Sequence, residues 1–349
     1  MPNASITGWG HYAPSNVVTN DDLAQLIDTS DEWIRSRSGI RERRFAEDGE
    51  TTATMSVESG RQALERAGLR PDDLDLILVA TSSPDHLTPP VSSQVQSMLG
   101  APTVGAMQIT VGCTGFVYAL VTAEQFIRTG TYDTILVIGT ELISRWLSMD
   151  ERSTAVLFGD GSGAVVVEAS DEPCGIRSHI LGSDGAGAEH IIVPAGGVAM
   201  PMTHEILDDT GYTIQMNGRE VFKFATRVMG TALGEVLDKA GRSVDDVDLF
   251  IPHQANARII KYATEEFGLP PDKVVMNVDR YGNTSAASVP LAMAEAFDEG
   301  RAQPGDTLAL VAFGAGLTWA AAIVDLAPTV PALEAVSAEG TTEKTGIPA

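Results

Sequence analysis

The stretch ALERAGLRPDDLDLILV, Ala63 to Val79, is echoed by VLDKAGRSVDDVDLFIP, Val236 to Pro252. The offset is 173 residues, taking Ala67 to Ala240 and Asp73 to Asp246. In both copies an amphipathic run stops at an Ala-Gly pair, crosses a polar turn with paired aspartates, and enters a continuous apolar run. That order predicts a helix ended by glycine, a turn, and a strand buried on both faces. The same offset carries Asp133-Thr134 in YDTILVIG onto Asp306-Thr307 in GDTLALVAF. Common α/β grammar explains one chance match, whereas two matches at one offset indicate a duplicated architecture.

Outward from the echo, short Val/Ile/Leu runs alternate with longer amphipathic segments, the pattern of an α/β protein with buried strands. LDLILVAT (Leu74 to Thr81), YDTILVIGTE (Tyr132 to Glu141), VDLFIPHQ (Val247 to Gln254) and DTLALVAFG (Asp306 to Gly314) are such runs. A chain of 349 residues is long enough for two domains of ordinary size. The change from VVVEA to the polar, Pro/Gly-bearing EASDEPCGIRSH, Glu168 to His179, places the boundary between halves 1–173 and 174–327. Residues 328–349 lack a sustained period and are expected to form a flexible tail.

The formal charge of −24 excludes general attraction to nucleic acid or anionic lipid, which needs clustered Lys and Arg. No apolar stretch reaches the roughly 18 residues of a membrane span. Two cysteines make no disulfide framework, and no charged segment precedes an apolar run at the N-terminus, so a reducing cytoplasm is expected. Cys113 is then a free thiol, and Cys174, in the connector, reads as an incidental loop or edge cysteine.

ITVGCTGFVYAL, Ile109 to Leu120, places Cys113 where a strand-like run turns into a helix-like one. Gly112 and Gly115 permit a tight turn, and a helix N-terminus favours a thiolate. The stretch by itself fits a small core residue as well as a nucleophile. PHQANARII, Pro252 to Ile260, sets His253 at the C-terminal end of a buried strand, where open α/β sheets gather ligands. YGNTSAASVPLAMAEAF, Tyr281 to Phe297, sets Asn283 in a Gly-Asn turn before a helix-like run. A strand-end cap and a turn residue are the plain alternatives for these two.

VGCTGF, PHQANARI and GNTSAASVP, in this order, resemble the Cys-His-Asn set of the β-ketoacyl-acyl-carrier-protein synthase III family of condensing enzymes. TNDDL, TSDEWIRSRSGIRERR, QVQSMLGA, VLFGDGSGAVVV, GREVFKFA and FGAGLTWAA extend the resemblance over nearly all of residues 3–326. It implies a thiolase-like fold with two similar halves in α-β-α-β-α layers. It further implies that Cys113 takes the acyl group of an acyl-CoA and that His253 and Asn283 stabilise the enolate left when malonyl-acyl-carrier protein loses CO₂. The backbone N–H groups of Cys113 and Ala315 would hold the oxyanion of acyl transfer. Acyl-CoA is a substrate in such a reaction, and neither a cofactor nor a metal is implied.

Matching positions assign the CoA path to Thr29, Trp33, Arg37, Arg152, Gly218 and Asn256, with adenine stacked between indole and guanidinium. Five arginines between Arg35 and Arg44 make a local anion site plausible in so acidic a chain. Thr88 occupies the acyl-pocket position where many members carry an aromatic residue. Lys223, Arg258 and Lys261 would meet the acidic carrier protein, and the family is homodimeric. The chain departs from the pattern at Gln108, Gly112, Thr114, Glu265 and Glu266. Thiolase is disfavoured, since FGAGLTW has no second catalytic cysteine, and so are the two-histidine elongating synthases. The remaining readings are a starter-unit synthase or acyltransferase of secondary metabolism, and a catalytically silent binding protein of the same fold.

Overall fold

The computed structural model describes residues 1–208 and 211–336. Its first main sheet is built from β1 (Asn3–Tyr12), β2 (Leu76–Ala80), β3 (Gly105–Ile109), β4 (Thr134–Glu141) and β5 (Gly161–Ser170), in the order β1-β5-β4-β2-β3. The second holds β6 (Gly175–Ser183), β7 (Leu249–Pro252), β8 (Thr307–Gly314) and β9 (Thr318–Asp325), in the order β7-β8-β9-β6. The principal helices are α1 (Asp31–Ser38), α2 (Thr52–Ala67), α3 (Val91–Leu99), α4 (Gly115–Arg128), α5 (Gly218–Ala240), α6 (Ala257–Phe267) and α7 (Ser288–Asp298).

Strand side chains alternate between faces, so a continuous apolar strand needs a partner layer on each side. Leu76, Leu78 and Ala80 of β2 pack with Phe116 of α4 and Val289 of α7. Ile77 and Val79 point the other way, beside Val57, Leu64 and Val95 of α2 and α3. In the second sheet Leu308 and Leu310 join the same central cluster, while Ala309, Val311 and Phe313 pack against Val228, Leu233 and Ile260 of α5 and α6. The result is five layers, with α4 and α7 sandwiched between the sheets. Each fully buried Leu, Ile or Val contributes about 1.5–3 kcal/mol in this environment.

The duplication is visible element by element. β4 and β8 are related by 173 residues at both ends, and the helices α4 and α7 begin at Gly115 and Ser288, the same offset. β2 runs parallel to β3 and β4, and β7 runs parallel to β8. Where β3 has no full counterpart, Phe250 makes a single parallel bridge to Val274.

The chain changes sheet between Ser170 and Gly175. Cys174 lies in that connector, yet it is buried at 3% exposure in the central cluster rather than at an edge. The expected tail begins later than its composition indicates. Residues 331–336 are helical, and Val330 and Leu333 are buried in the central cluster. Residues 337–349 of that tail lie outside the described residues.

Candidate active site

β3 delivers the chain to a one-turn 3-10 segment, Gly112–Thr114, that leads straight into α4. Gly112 is left-handed at φ 56°, a conformation that disfavours any side chain. Thr114 donates from Oγ1 to the Val111 carbonyl at 2.6 Å and pairs with Thr318 Oγ1 at 3.1 Å, which fastens the turn to β9. Across from it, Gly314 ends β8 with no room for a side chain: a Cβ there would lie 2.8 Å from the Cys113 Cβ. The Cys113 sulfur is met by the Ser285 hydroxyl and by the backbone N–H groups of Cys113 and Ala315. Burial pushes the thiol up to about 12 and outweighs these contacts. The resting residue is therefore a neutral thiol at neutral pH, and the helix N-terminus alone does not ionise it.

His253 follows β7 directly, and its N–H donates to the Val311 carbonyl of β8 at 2.8 Å. Its ring stands edge-on to Phe313, with centroids 5.1 Å apart. Nδ1 lies 2.6 Å from Ser288 Oγ, which also accepts the Gln254 backbone N–H at 3.0 Å. Ser288 Oγ keeps its own hydrogen free while it accepts from Gln254, and in the tautomer where it donates that hydrogen to Nδ1 the proton of the neutral ring is on Nε2. Burial pushes the imidazole down to about 3, so it is neutral. Gln254 is a structural staple: its Oε1 accepts the N–H groups of Asn277 and Val278, and its Nε2 donates to Pro252 and Val275 carbonyls.

The Asn283 backbone is pinned by Leu157 and Gly159 on either side. Its Oδ1 accepts the Ser285 N–H at 2.9 Å, so the Nδ2 hydrogens are the donors left for a ligand. Asn256 caps α6 by accepting from Arg258 N–H, and its Nδ2 donates to the Arg37 carbonyl at 3.1 Å, joining α6 to α1.

Cys113, His253 and Asn283 line one cavity of about 500 Å³. Its inner wall is apolar, formed by Trp146, Ile191, Val193, Ile214 and Phe313 among others. Trp33, Arg37, Gly218 and Asn256 also line it. Arg152 does not, but its guanidinium stands 4.6 Å above the Trp33 ring, and Arg37 stands 5.6 Å from the same ring. Thr29 is not on the wall, and its hydroxyl is buried without a hydrogen-bond partner. Thr88 is exposed on a loop outside the cavity of its own chain, next to Leu87 at 86% exposure. Lys223 sits on α5 and pairs with Glu220 at 2.7 Å, Arg258 lies over the Phe222 ring, and Lys261 is exposed on α6.

The five arginines between Arg35 and Arg44 do not form one anion site. Arg43 is fully buried, its guanidinium donating to Val18 and Val156 carbonyls and to Asn20, and burial pushes it down to about 10. Arg35, Arg41 and Arg44 pair with Asp31, Asp279 and Glu42, and Arg37 is the member that faces the cavity. Of the departures, Gln108 accepts the Val91 N–H at 3.0 Å and so caps α3, and Thr114 holds the turn that carries Cys113. Glu266 folds across Gly230 of α5.

Sequence reasoning missed Glu141, Ser285, Ser288 and Phe313. Ser285 and Ser288 carried one usable signal, since they repeat Gly112 and Gly115 at the duplication offset. Among the described residues no group of His, Cys, Asp and Glu is arranged to hold a metal, and no helix is long and apolar enough to cross a membrane.

Comparison with known proteins bears on this geometry. Family models described as 3-oxoacyl-[acyl-carrier-protein (ACP)] synthase III match residues 107–185 and, for the C-terminal part, residues 237–326. A beta-ketoacyl-[acyl-carrier-protein] synthase III of Caldanaerobacter subterraneus subsp. tengcongensis is 48% identical, covering 92% of this chain and 97% of its own. The crystal structure of 3-oxoacyl-[acyl-carrier-protein] synthase III from Aquifex aeolicus is 43% identical with a TM-score of 0.86, covering 92% of this chain and 99% of its own. The priming β-ketosynthase of the R1128 polyketide biosynthetic pathway is 35% identical with a TM-score of 0.87, covering 95% of this chain and 98% of its own. The duplicated five-layer fold and these likenesses lead to one conclusion: the chain belongs to the 3-oxoacyl-[acyl-carrier-protein] synthase III family of condensing acyltransferases.

Proposed function

We propose that the protein condenses the acyl group of an acyl-CoA with malonyl-acyl-carrier protein, through an acyl-Cys113 intermediate, to initiate fatty acid synthesis. The observation that carries this reading is the convergence of a thiol and two neutral hydrogen-bond donors at one apolar cavity whose lining includes Trp33 and Arg37. Cys113 thiolate attacks the thioester carbonyl, and the N–H groups of Cys113 and Ala315 hold the oxyanion. The carbon–sulfur bond to CoA breaks, and CoA leaves as the thiol.

Malonyl-acyl-carrier protein then enters. His253 Nε2–H and Asn283 Nδ2–H donate to its thioester oxygen, where negative charge develops as CO₂ departs. Neutral donors stabilise that charge without pinning a carboxylate in the ground state. The carbanion attacks the acyl carbonyl, the Cys113 sulfur leaves, and a proton from solvent restores the thiol. The reaction draws on no cofactor.

Lys223, Arg258 and Lys261 are the cations we assign to the carrier, and Trp33 with Arg37 and Arg152 to the CoA adenine and phosphates, with Thr29, Gly218 and Asn256 along the same path. Thr88 is assigned to a second copy's acyl pocket in a homodimer; the exposure of Leu87, and of Met107 on the edge strand β3, supports that arrangement. The two unpaired cysteines support a cytoplasmic setting.

A second reading, starter-unit synthesis for a polyketide, is favoured by the likeness to the R1128 priming enzyme. A panel of acyl-CoAs of rising length, read by intact mass, tests both. One acyl mass at Cys113, lost in Cys113→Ala and followed by CO₂ release from malonyl-acyl-carrier protein, is the expected result. Absence of any adduct overturns the acyl-enzyme mechanism and leaves a silent binding protein, and transfer without CO₂ release makes the protein an acyltransferase.

A further inference from the structure

The proposed mechanism needs a thiolate, yet the resting Cys113 holds its proton, and the neutral His253 is tied through Nδ1 to Ser288. Beneath the thiol lies a group that the condensation chemistry leaves unused. Glu141, the last residue of β4, is fully buried. Its carboxyl receives the Ser82 N–H at 3.0 Å, the Ser83 N–H at 3.0 Å, the Ser83 hydroxyl at 2.5 Å, the Thr81 hydroxyl at 3.3 Å and the Ser285 hydroxyl at 3.1 Å.

Every one of these partners is neutral. A buried carboxylate without a cation is expensive, so its retention calls for a reason. The donor directions are fixed by the neighbours. Ser83 Oγ accepts the Leu142 N–H at 2.8 Å, so its own hydrogen goes to Glu141. Burial pushes the Glu141 carboxyl up from the usual carboxylate range, which makes it a better proton acceptor, while the five converging donors oppose that shift by favouring the charged form.

Ser285 links this carboxylate to the nucleophile. Its hydroxyl donates to Glu141 Oε1, and the same oxygen meets the Cys113 sulfur. Its backbone sits at φ 49°, the one non-glycine residue at positive φ among the described residues. Such strain is typically retained where the side chain must occupy a particular place. The Ser285 N–H also holds Asn283 Oδ1, so one residue touches both the thiol and the decarboxylation donor.

We propose that Ser285 and Glu141 form the proton relay that ionises Cys113. The thiol proton moves to Ser285 Oγ as the Ser285 hydroxyl proton moves to Glu141 Oε1, leaving a thiolate that now accepts a hydrogen bond from Ser285. When the thiolate has displaced CoA, the CoA sulfur takes the proton back from Glu141 through Ser285. The exchange conserves protons and needs no outside base. Ser285 is a catalytic residue in this scheme, and Glu141 is a positioning residue that acts through it. The inference rests on the proposed acyl transfer, but its test does not.

The experiment is the pH dependence of Cys113 alkylation by iodoacetamide, read by peptide mass between about pH 6 and pH 9, for the wild type, Ser285→Gly and Glu141→Gln. Glycine suits the left-handed backbone at 285, and glutamine keeps the carboxyl's shape. With a relay, the thiolate population comes from an internal transfer, so the wild-type rate is flat with pH. In both variants only direct ionisation remains. Their rates rise about tenfold per pH unit and fall at least tenfold below wild type at pH 7. A wild-type rate that itself rises tenfold per unit overturns the relay, as do folded variants with a flat profile. If either variant melts, the wild-type slope alone decides. A wild type that is alkylated normally but never acylated by any acyl-CoA sinks the condensation reading and leaves the relay standing.

Discussion

Gly112 and Ser285, 173 residues apart, share a left-handed backbone at φ 56° and 49°, and their turns pack against each other at the cavity. Each opens a 3-10 turn that runs into a central helix, Gly112–Thr114 into α4 and Ser285–Ala287 into α7. Duplication has placed two equivalent turns face to face. One presents the thiol of Cys113, and the other presents Asn283 and the Ser285 hydroxyl.

Gly112→Ala is expected to lower stability by about 1–2 kcal/mol through its left-handed backbone. Its Cβ would also press on Ala315, whose backbone nitrogen and oxygen would lie 3.1 and 3.2 Å away. Ala315 is the assigned oxyanion donor, so acylation slows as well, by about tenfold or more. Denaturant unfolding and acyl-adduct kinetics measure the two effects separately.

Gly314→Ala acts more directly. The new Cβ would lie 2.8 Å from the Cys113 Cβ and nitrogen and 3.0 Å from its sulfur. Displacing a nucleophile by about 1 Å costs on the order of a hundredfold. The acyl adduct should form at least that much more slowly, while His253 and Asn283, on other elements, keep their positions. A normal acylation rate would contradict the proposed approach geometry.

His253 stays neutral because burial holds its imidazole at about 3. CO₂ release from the acylated enzyme should therefore show no histidine titration between about pH 5 and pH 8. Ser288→Ala frees the tautomer and should slow decarboxylation about tenfold, roughly one net hydrogen bond, with acylation unchanged. The unfolded chain protonates this histidine near its ordinary value and the folded one does not. Its contribution therefore makes stability fall as pH drops from about 6.5 towards about 3, which pH-dependent unfolding reads against His253→Gln.

Trp33→Ala removes the ring that faces both Arg37 and Arg152, at 5.6 and 4.6 Å. A CoA primer stacked there should lose about 0.5–2 kcal/mol, a rise of about two- to thirtyfold in its KM. The kcat for condensation should be unchanged, because in the proposed sequence CoA has left before the carbon–carbon bond forms. An unchanged KM would remove Trp33 from the CoA path.

The secondary structure was legible because its signals are local. The Ala-Gly stops, the paired aspartates and the apolar runs reproduce themselves at one offset, and β4 and β8 follow that offset at both ends. Local pattern marked the junctions where Cys113, His253 and Asn283 sit but left each a plain structural alternative, and only the resemblance of their three motifs taken together gave them a common role. What the residues around them do was not legible. Ser285 reaches Glu141 across 144 positions of sequence, and Ser288 reaches His253 across 35. Arg43 looked like its neighbours in an arginine-rich segment, yet it is buried, whereas Arg37 faces the cavity. Composition alone placed Val330 and Leu333 in a tail, but the core had room for both.

The sequence by itself determined the duplicated α/β plan, because periodicity and turn chemistry depend on near neighbours, and through the resemblance of three motifs it singled out Cys113, His253 and Asn283. Only the tertiary structure decided the charge states. Desolvation and converging donors come from residues distant in sequence: they push the Cys113 thiol up and the His253 imidazole down, and they set the buried Glu141 carboxyl, itself pushed up by burial, among neutral donors one residue away from Cys113 through Ser285.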